Sequence, residues 1–270
     1  MKFLTQITEP IDIEVEMLRQ EIDHMPLCDD IKKDMHFLED MESFGCGKYM
    51  DLIGDATPVG TIEFVEKFLS IVHNIPYMAP IEIPEVLRKE EYLLREYRII
   101  DADQVPWTGD WFIKDASRLK QFSYLGDMSM FMYDGIFDRP KENDYSLHLD
   151  KSHKFVLSKR VCIQSEYRAF VHNDDIKGIQ FYNGNPLVMP TEDEIKKLRK
   201  MVSNYMADDT RPKAYAMDIA VIKTEPKSRD IVLIELCPFA CVGTYGFSGN
   251  LPYMYRDGFL WYLQYNTQIS

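Results

Sequence analysis

The sequence has no run approaching the roughly 18 consecutive apolar residues that a membrane helix requires. Its opening stretch, MKFLTQITEPIDIEVEML, turns acidic at once and carries no signal-peptide core, so the chain is expected to be cytoplasmic with no membrane partner. Cysteine is sparse, at five in 270 residues. No CxxC or HxxxH spacing accompanies Cys28, Cys46 or the Cys237/Cys241 pair of CPFAC, so reduced thiols are expected rather than a structural zinc site. Basic residues are outnumbered, 31 against 44 acidic, for a net charge of −13. That balance argues against a whole-surface grip on nucleic acid and leaves room only for a local basic groove.

Several catalytic signatures are missing as well. GxSxG, HExxH and a GxGxxG after a strand are all absent, which removes most support for nucleophilic triads, zinc proteases and dinucleotide enzymes. FGCGKYM resembles a P-loop around Gly47-Lys48 only faintly, because the upstream glycine and the Ser/Thr after the lysine are lacking. There is no internal repeat and no low-complexity tract. What is present is ordinary for a globular chain: 46% hydrophobic, 13% aromatic and 28% charged residues, enough for one large domain or two small ones.

Periodicity organises the rest. Residues 11–50 read as helical, broken at Pro26, and 60–73 as a second helix with Ile62, Val65, Phe68, Leu69 and Val72 on one face. The proline-rich connector over 75–84 reads as extended. From residue 92 short strands take over: YLLREYRII, DWFIKDA and FVLSKRVCI. EYRAFVH and IKGIQFY then form a hairpin around Asn173-Asp174-Asp175. PTEDEIKKLRKMVSNYM is a helix with a threonine cap and an acidic first turn. AYAMDIAVIK and DIVLIELC make a second hairpin around EPKSR, and LPYMYRDGFLWYLQYN closes the chain as an aromatic-faced helix. Helices followed by hairpins alternating with helices indicate a mixed α+β fold.

The second hairpin carries the most chemistry. Asp218 and Glu235 are equidistant from the EPKSR turn and should face each other across an antiparallel pair, each inside an apolar run. Two opposed, poorly solvated carboxylates repel, and a divalent cation such as Mg²⁺ resolves the conflict. A neighbouring arginine or lysine, or a register shifted by one, would resolve it equally. In the first hairpin Glu166, Arg168, Phe170 and His172 share one face by strand alternation, which by itself suggests an internal Glu–Arg salt bridge. Lys114 ends a strand among aromatics and is either solvated or a phosphate ligand.

Taken together these segments resemble the ATP-grasp superfamily, and within it the R2K clade of bacterial and phage proteins. TPVGTIEFVEKF (57–68) resembles the clade's Pro-Val-Gly-Ser-x-Glu-Phe segment. YLLREYRII with DWFIKDASRLKQF resembles its arginine strand and Phe-x-Lys strand. SEYRAFVHNDDIKGIQFY is similar to its Glu-Tyr-Arg-x-Phe-Val hairpin, and AYAMDIAVI with IVLIELCPFACVGTYG to its Asp and Glu-x-Asn strands. The resemblance implies an ATP-grasp fold: a helical N-terminal region (1–91), a small α+β subdomain with the hinge (92–161) and a large α+β subdomain with the metal site (162–270).

It also implies residue roles. Arg95 and Lys114 would bind phosphates, with Lys120 as a clade-specific addition near them. The run Leu157, Lys159 to Val161 would be the hinge that receives adenine through backbone groups, and Glu166 would hold the ribose hydroxyls. Arg168 would face the γ-phosphate or the acceptor, and Asp218 and Glu235 would hold Mg²⁺. One departure stands out: the third metal ligand, an asparagine in the family, is Cys237, and a thiol is a poor ligand for hard Mg²⁺. The implied reaction is ligation: ATP activates a carboxylate as an acyl phosphate, releasing ADP, and an amine or other nucleophile attacks. Mg²⁺, Arg95, Lys114 and Arg168 would neutralise the transferring phosphoryl group, so no protein nucleophile is needed. The acceptor, a small molecule or a peptide, is not readable; GTYGFSG (243–249) either shapes its pocket or is an ordinary loop. A phosphotransferase on the same scaffold and a nucleotide-binding assembly factor with a protein partner are the alternatives.

Overall fold

The computed structural model describes residues 1–6, 12–24, 35–38, 54–106, 108–119, 123–127, 153–225 and 228–269. Lys120, Cys28, Cys46 and the FGCGKYM segment lie outside them. The N-terminal part holds β1 (Phe3–Gln6), α1 (Ile13–His24), β2 (Met35–Leu38), β3 (Thr57–Val59) and α2 (Ile62–His73). The second expected helix is α2; of the stretch read as helical, 11–50, Ile13–His24 is a helix and Met35–Leu38 a strand, the remainder beyond residue 24 lying outside the described residues. That strand completes a parallel three-stranded sheet of order β2-β1-β3. These strands are only three or four residues long, too short for an alternation pattern to show in the sequence. Helix α2 is set by Thr61, whose side chain accepts from the Phe64 amide, and by Asn74, which ends it in the left-handed region at φ 57°.

Residues 75–84 form neither helix nor strand and bend at Tyr77, and Ile81 bridges Leu236. The next expected strand begins late. Glu90–Leu93 is a short helix, α3, closed by Leu94 at φ 46°, and β4 covers only Tyr97–Asp101. Burial explains this: Tyr92 and Leu93 insert into the main core, which a straight strand over 92–100 would not allow. Strand β4 then joins β5 (Asp110–Asp115), β6 (Ser123–Asp127) and β7 (Lys154–Lys159) in an antiparallel sheet of order β4-β7-β5-β6. One face of this sheet carries Ile100, Trp111, Ile113, Phe155 and Leu157 into its own core. By alternation Ile99, Lys114 and Val156 turn the other way.

The larger sheet, order β11-β10-β8-β9, is built from β8 (Ile163–His172), β9 (Asp175–Gly184), β10 (Ala214–Glu225) and β11 (Ser228–Pro238). Both expected hairpins are present. The first turns through Asn173 and Asp174, at φ 51° and 63°, the left-handed pair that a tight two-residue turn requires. Helix α4 (Glu192–Tyr205) begins with a reciprocal Thr191/Glu194 capping box and packs Leu198, Met201 and Tyr205 onto one face of the sheet. Helix α5 (Leu251–Ile269) covers the other face together with α1, packing Met254 and Tyr255 against Phe170 and Phe239. Glu21 of α1 accepts hydrogen bonds from the Gly249 and Leu251 amides and so caps α5 from outside. No helix among the described residues is long and apolar enough to cross a membrane.

Gly258 lets α5 lie against the chain just after β11. A Cβ there would come within 2.7 Å of Phe239 Cβ and 3.2 Å of its backbone. Gly258→Ala should therefore destabilise the protein by about 1–3 kcal/mol in urea denaturation, despite alanine's better helix propensity.

Candidate functional site

The two antiparallel sheets present their chemistry to each other. Across the large sheet one row of residues reads Arg168, Asp218, Glu235: Arg168 pairs with Asp218 in the β8–β10 register, and Asp218 with Glu235 in the β10–β11 register. The opposition of the two carboxylates expected from the hairpin is therefore present, and a bulge follows directly at Asp218/Ile219. Arg168 grips Asp218 through Nε and Nη2, both at 2.7 Å, with both side chains buried. Lys114 crosses from β5 of the facing sheet and donates to Glu235 Oε2 at 2.6 Å. Each carboxylate thus has its own cation, one within the sheet and one from across the gap.

The electrostatics follow from burial and pairing. Burial opposes the charge on Lys114, but the field of the Glu235 carboxylate and its hydrogen bond outweigh it and hold the ammonium above its ordinary value. Burial likewise pushes Glu235 up, and Lys114, together with the Cys237 hydrogen bond and Arg168, reverses this and leaves it below its ordinary value. Asp218 ends above its ordinary value, because burial, aided by the neighbouring Glu235, exceeds the help from Arg168. Cys237 donates to Glu235 Oε1 at 3.4 Å, and burial, with Glu235 and Asp218 beside it, pushes the thiol well up, so it is a neutral group.

Asp218, Glu235 and Cys237 offer ligand atoms within 4.8 Å of one another. The two carboxylates are the oxygen donors that Mg²⁺ prefers, so they fit that ion, while the neutral thiol in the third position does not. Glu166, on the same face of β8, accepts from Tyr182 Oη at 2.7 Å and Asn183 Nδ2 at 2.8 Å. Sequence reasoning missed Tyr182. It is the extra residue of a bulge between the Glu166–Asn183 and Tyr167–Phe181 pairs, and such an insertion leaves no periodic signal. Tyr182 stacks on Tyr245 at 5.2 Å, and the Arg168 guanidinium lies over both rings. The glycine-rich segment holds Tyr245 at φ 50° and is fixed on both sides: Arg168 donates to the Gly243 carbonyl and the Thr244 amide donates to Glu14 of α1.

Other expected site residues sit elsewhere. Arg95 lies off the strand and donates to the Leu93, Leu233 and Ile234 carbonyls, with burial lowering its pKa to about 10. In this arrangement it braces β11 rather than reaching the Lys114–Glu235 pair. Leu157 points into the core of the small sheet and is paired in the ladder on both sides, while Lys159 stacks over Trp111 at 3.5 Å. Both therefore face away from the gap, and the crossover between the sheets is confined to 160–162, with Val161 packed beside Ala220 and Ile222.

Two cavities meet at the cross-sheet pair. One, of about 400 Å³, has a mixed lining in which Ile81, Ile99, Val156 and Ile234 stand beside Glu82, His153 and Lys154. The other, of about 330 Å³, lies towards Arg168, Cys237 and Tyr245. Lys114 and Glu235 line both.

A cleft between two antiparallel α+β units, crossed by a lysine and backed by paired acidic strands, is the architecture of an ATP-grasp domain. Residues 92–253 match the ATP-grasp domain of R2K clade family 2, and the chain belongs to that family. No curated protein matches the sequence. Among solved structures, D-alanine–D-alanine ligase from Bacillus anthracis is similar over 100% of this chain and 98% of its own, with a TM-score of 0.50 at 9% identity. N5-carboxyaminoimidazole synthetase from Staphylococcus aureus, complexed with ADP, is similar over 97% of this chain and 78% of its own, with a TM-score of 0.50 at 12% identity. At these identities what is shared is the fold.

Two stability measurements check the charge row. Arg168→Met leaves Asp218 buried without its counter-ion and should cost about 3–5 kcal/mol in chemical denaturation. The Lys114–Glu235 pair contributes stability that is complete above the ordinary glutamate value of 4.5 and lost as pH falls through the depressed folded value. The difference in Tm between wild type and Lys114→Met should therefore be greatest near neutrality and close on acidification below that value.

Proposed function

We propose that the protein is an ATP- and Mg²⁺-dependent ligase, which activates a carboxylate as an acyl phosphate, releases ADP and passes the acyl group to an amine or another nucleophile. The observation that carries this reading is the Lys114–Glu235 contact, made between two sheets with a cavity on either side. On this reading the larger cavity takes the adenine, against Ile99 and Val156 of the small sheet and Ile234 of β11. Glu166, steadied by Tyr182 and Asn183, takes the ribose hydroxyls. Lys114 and Arg168 balance the charge that spreads over the transferring phosphoryl group, and Arg95 acts by fixing the strand that carries Glu235. Lys120, which lies outside the described residues, is assigned to the phosphates on the family resemblance alone. Mg²⁺, when bound, would be held by Asp218 and Glu235 and would supply further charge neutralisation there. Before nucleotide binds, Lys114 and Arg168 serve as counter-ions to those same carboxylates, so binding exchanges one set of pairings for another.

A second reading, a nucleotide-binding assembly factor with little turnover, is favoured by the neutral Cys237 thiol in the third ligand position. Thermal melts with ATP, with and without Mg²⁺, test the nucleotide site. At a hundredfold its dissociation constant ATP should add about 2.7 kcal/mol to wild type, and the shift should be absent in Lys114→Ala. No shift at millimolar ATP in any form would overturn both readings. Glu235→Gln should lower ADP release far more than it lowers Tm; unchanged turnover in that variant would remove Glu235 from the mechanism. A Mg²⁺-dependent shift without ADP release in the presence of any acceptor would favour the assembly factor.

A further inference from the structure

The chain enters and leaves the small sheet at the same end. Strand β4 is reached through 94–96 and β7 is left through 160–162. These links lie side by side, because Tyr97 pairs with Ser158 and the Lys159 amide donates to the Glu96 carbonyl at 2.9 Å. In the β5–β7 register Trp111 stands opposite Lys159 at this end and Asp115 opposite Phe155 at the other, about 13 Å away at the usual strand rise. Lys114 is next to that far end, beyond the reach of either link.

Two bonds fasten the far end. The Leu119 amide donates to the Met78 carbonyl at 2.9 Å, and Arg118 Nη2 donates to Glu66 Oε2 at 2.9 Å. Glu66 sits on α2, is 9% exposed, and accepts the Met78 amide at 2.9 Å with its other oxygen. Packing alone does not call for a carboxylate in so buried a place, where an apolar residue would cost less. The anchor is itself held: the Ala79 amide donates to Tyr262 Oη of α5 at 2.7 Å, and Ile81 bridges Leu236 of β11. On the other side Asp115 accepts from the Ser117 amide and hydroxyl and from the Arg118 amide. Arg118 therefore moves as one piece with the strand end that carries Lys114. The junction also walls both cavities, with Pro80 on each, Tyr77 on the larger, and Arg118 and Leu119 on the smaller.

Resting on the nucleotide reading above, we propose that Glu66 and Arg118 form a clasp that gates the cleft at the end remote from the chain links. Made, the clasp holds Lys114 at the phosphates and retains bound nucleotide. Released, it lets the small sheet swing about 94–96 and 160–162 and opens both cavities along the Pro80 edge. Glu66 is a positioning residue: it acts on the phosphates only through Arg118, the Asp115 turn and Lys114.

The test reads rates. Binding of a fluorescent ATP analogue with Mg²⁺ is followed by stopped flow in wild type, Glu66→Gln, Arg118→Met and the double variant. Glu66→Gln keeps an oxygen for the Met78 amide and removes the charge that holds Arg118. Each single variant should raise both the association and the dissociation rate by about threefold, the kinetic equivalent of a partly exposed ion pair, and the double variant should match the singles. Hydrogen exchange of the Leu119 amide, measured without nucleotide, should quicken by about threefold in each variant while β10 keeps its wild-type rates. An unchanged association rate, as a purely structural role predicts, overturns the proposal. So does full additivity in the double variant, or unchanged exchange at Leu119. Failure of wild type itself to bind the analogue would instead overturn the nucleotide reading, and the gate with it.

Discussion

Two carboxylates facing each other in a buried β-ladder are the constraint around which this molecule is arranged. Asp218 and Glu235 cannot both be ionised there without compensation, and the fold supplies it from two directions. Arg168 comes from the neighbouring strand of the same sheet and Lys114 from the opposite sheet. The second contact joins the two halves of the cleft by an ion pair as well as by covalent continuity through 160–162. The unequal protonation tendencies of the two acids follow from the same arrangement: Glu235, with the cross-sheet ammonium, is held low, and Asp218, the more deeply buried, is pushed high.

Much of this was legible because hairpins encode their own register. A recognisable turn fixes which residues oppose each other near it, and the Asp218–Glu235 opposition read from EPKSR holds because two irregularities, at Lys223/Glu225 and Asp218/Ile219, shift the register by one and back. The Thr191 cap and the shared face of Glu166, Arg168, Phe170 and His172 were readable for the same reason: the signal is local and periodic. Bulges have no such signal. The one that presents Tyr182 to Glu166 breaks alternation by a single residue, and nothing in IKGIQFYNG marks it. The parallel N-terminal sheet was hidden because its strands are short and far apart in sequence, and α3 because tertiary burial of Tyr92 and Leu93 overrode a strand-like composition.

Resemblance added roles that periodicity could not, and geometry then sorted them. Lys114, Arg168, Asp218 and Glu235 converge on one row with Cys237 among them. Arg95 is close to that row in sequence order but is committed to main-chain carbonyls. Leu157 and Lys159 occupy the far face of their strand. Strand alternation decides such cases: one residue's displacement along a strand moves a side chain from the cleft to the opposite core.

The hold of α1 on the far end of the chain has a consequence for modularity. The span that defines family membership, 92–253, omits α1 and stops within the first turn of α5. Yet Glu21 caps that helix, Glu14 fixes the Thr244 amide, and Val15, Leu18 and Ile22 pack beside Met254 and Tyr255. The span that matches the family is thus shorter than the set of segments that pack together around the site. A fragment cut to the family boundaries would retain the charge row and lose the support that α1 gives to the loop next to it.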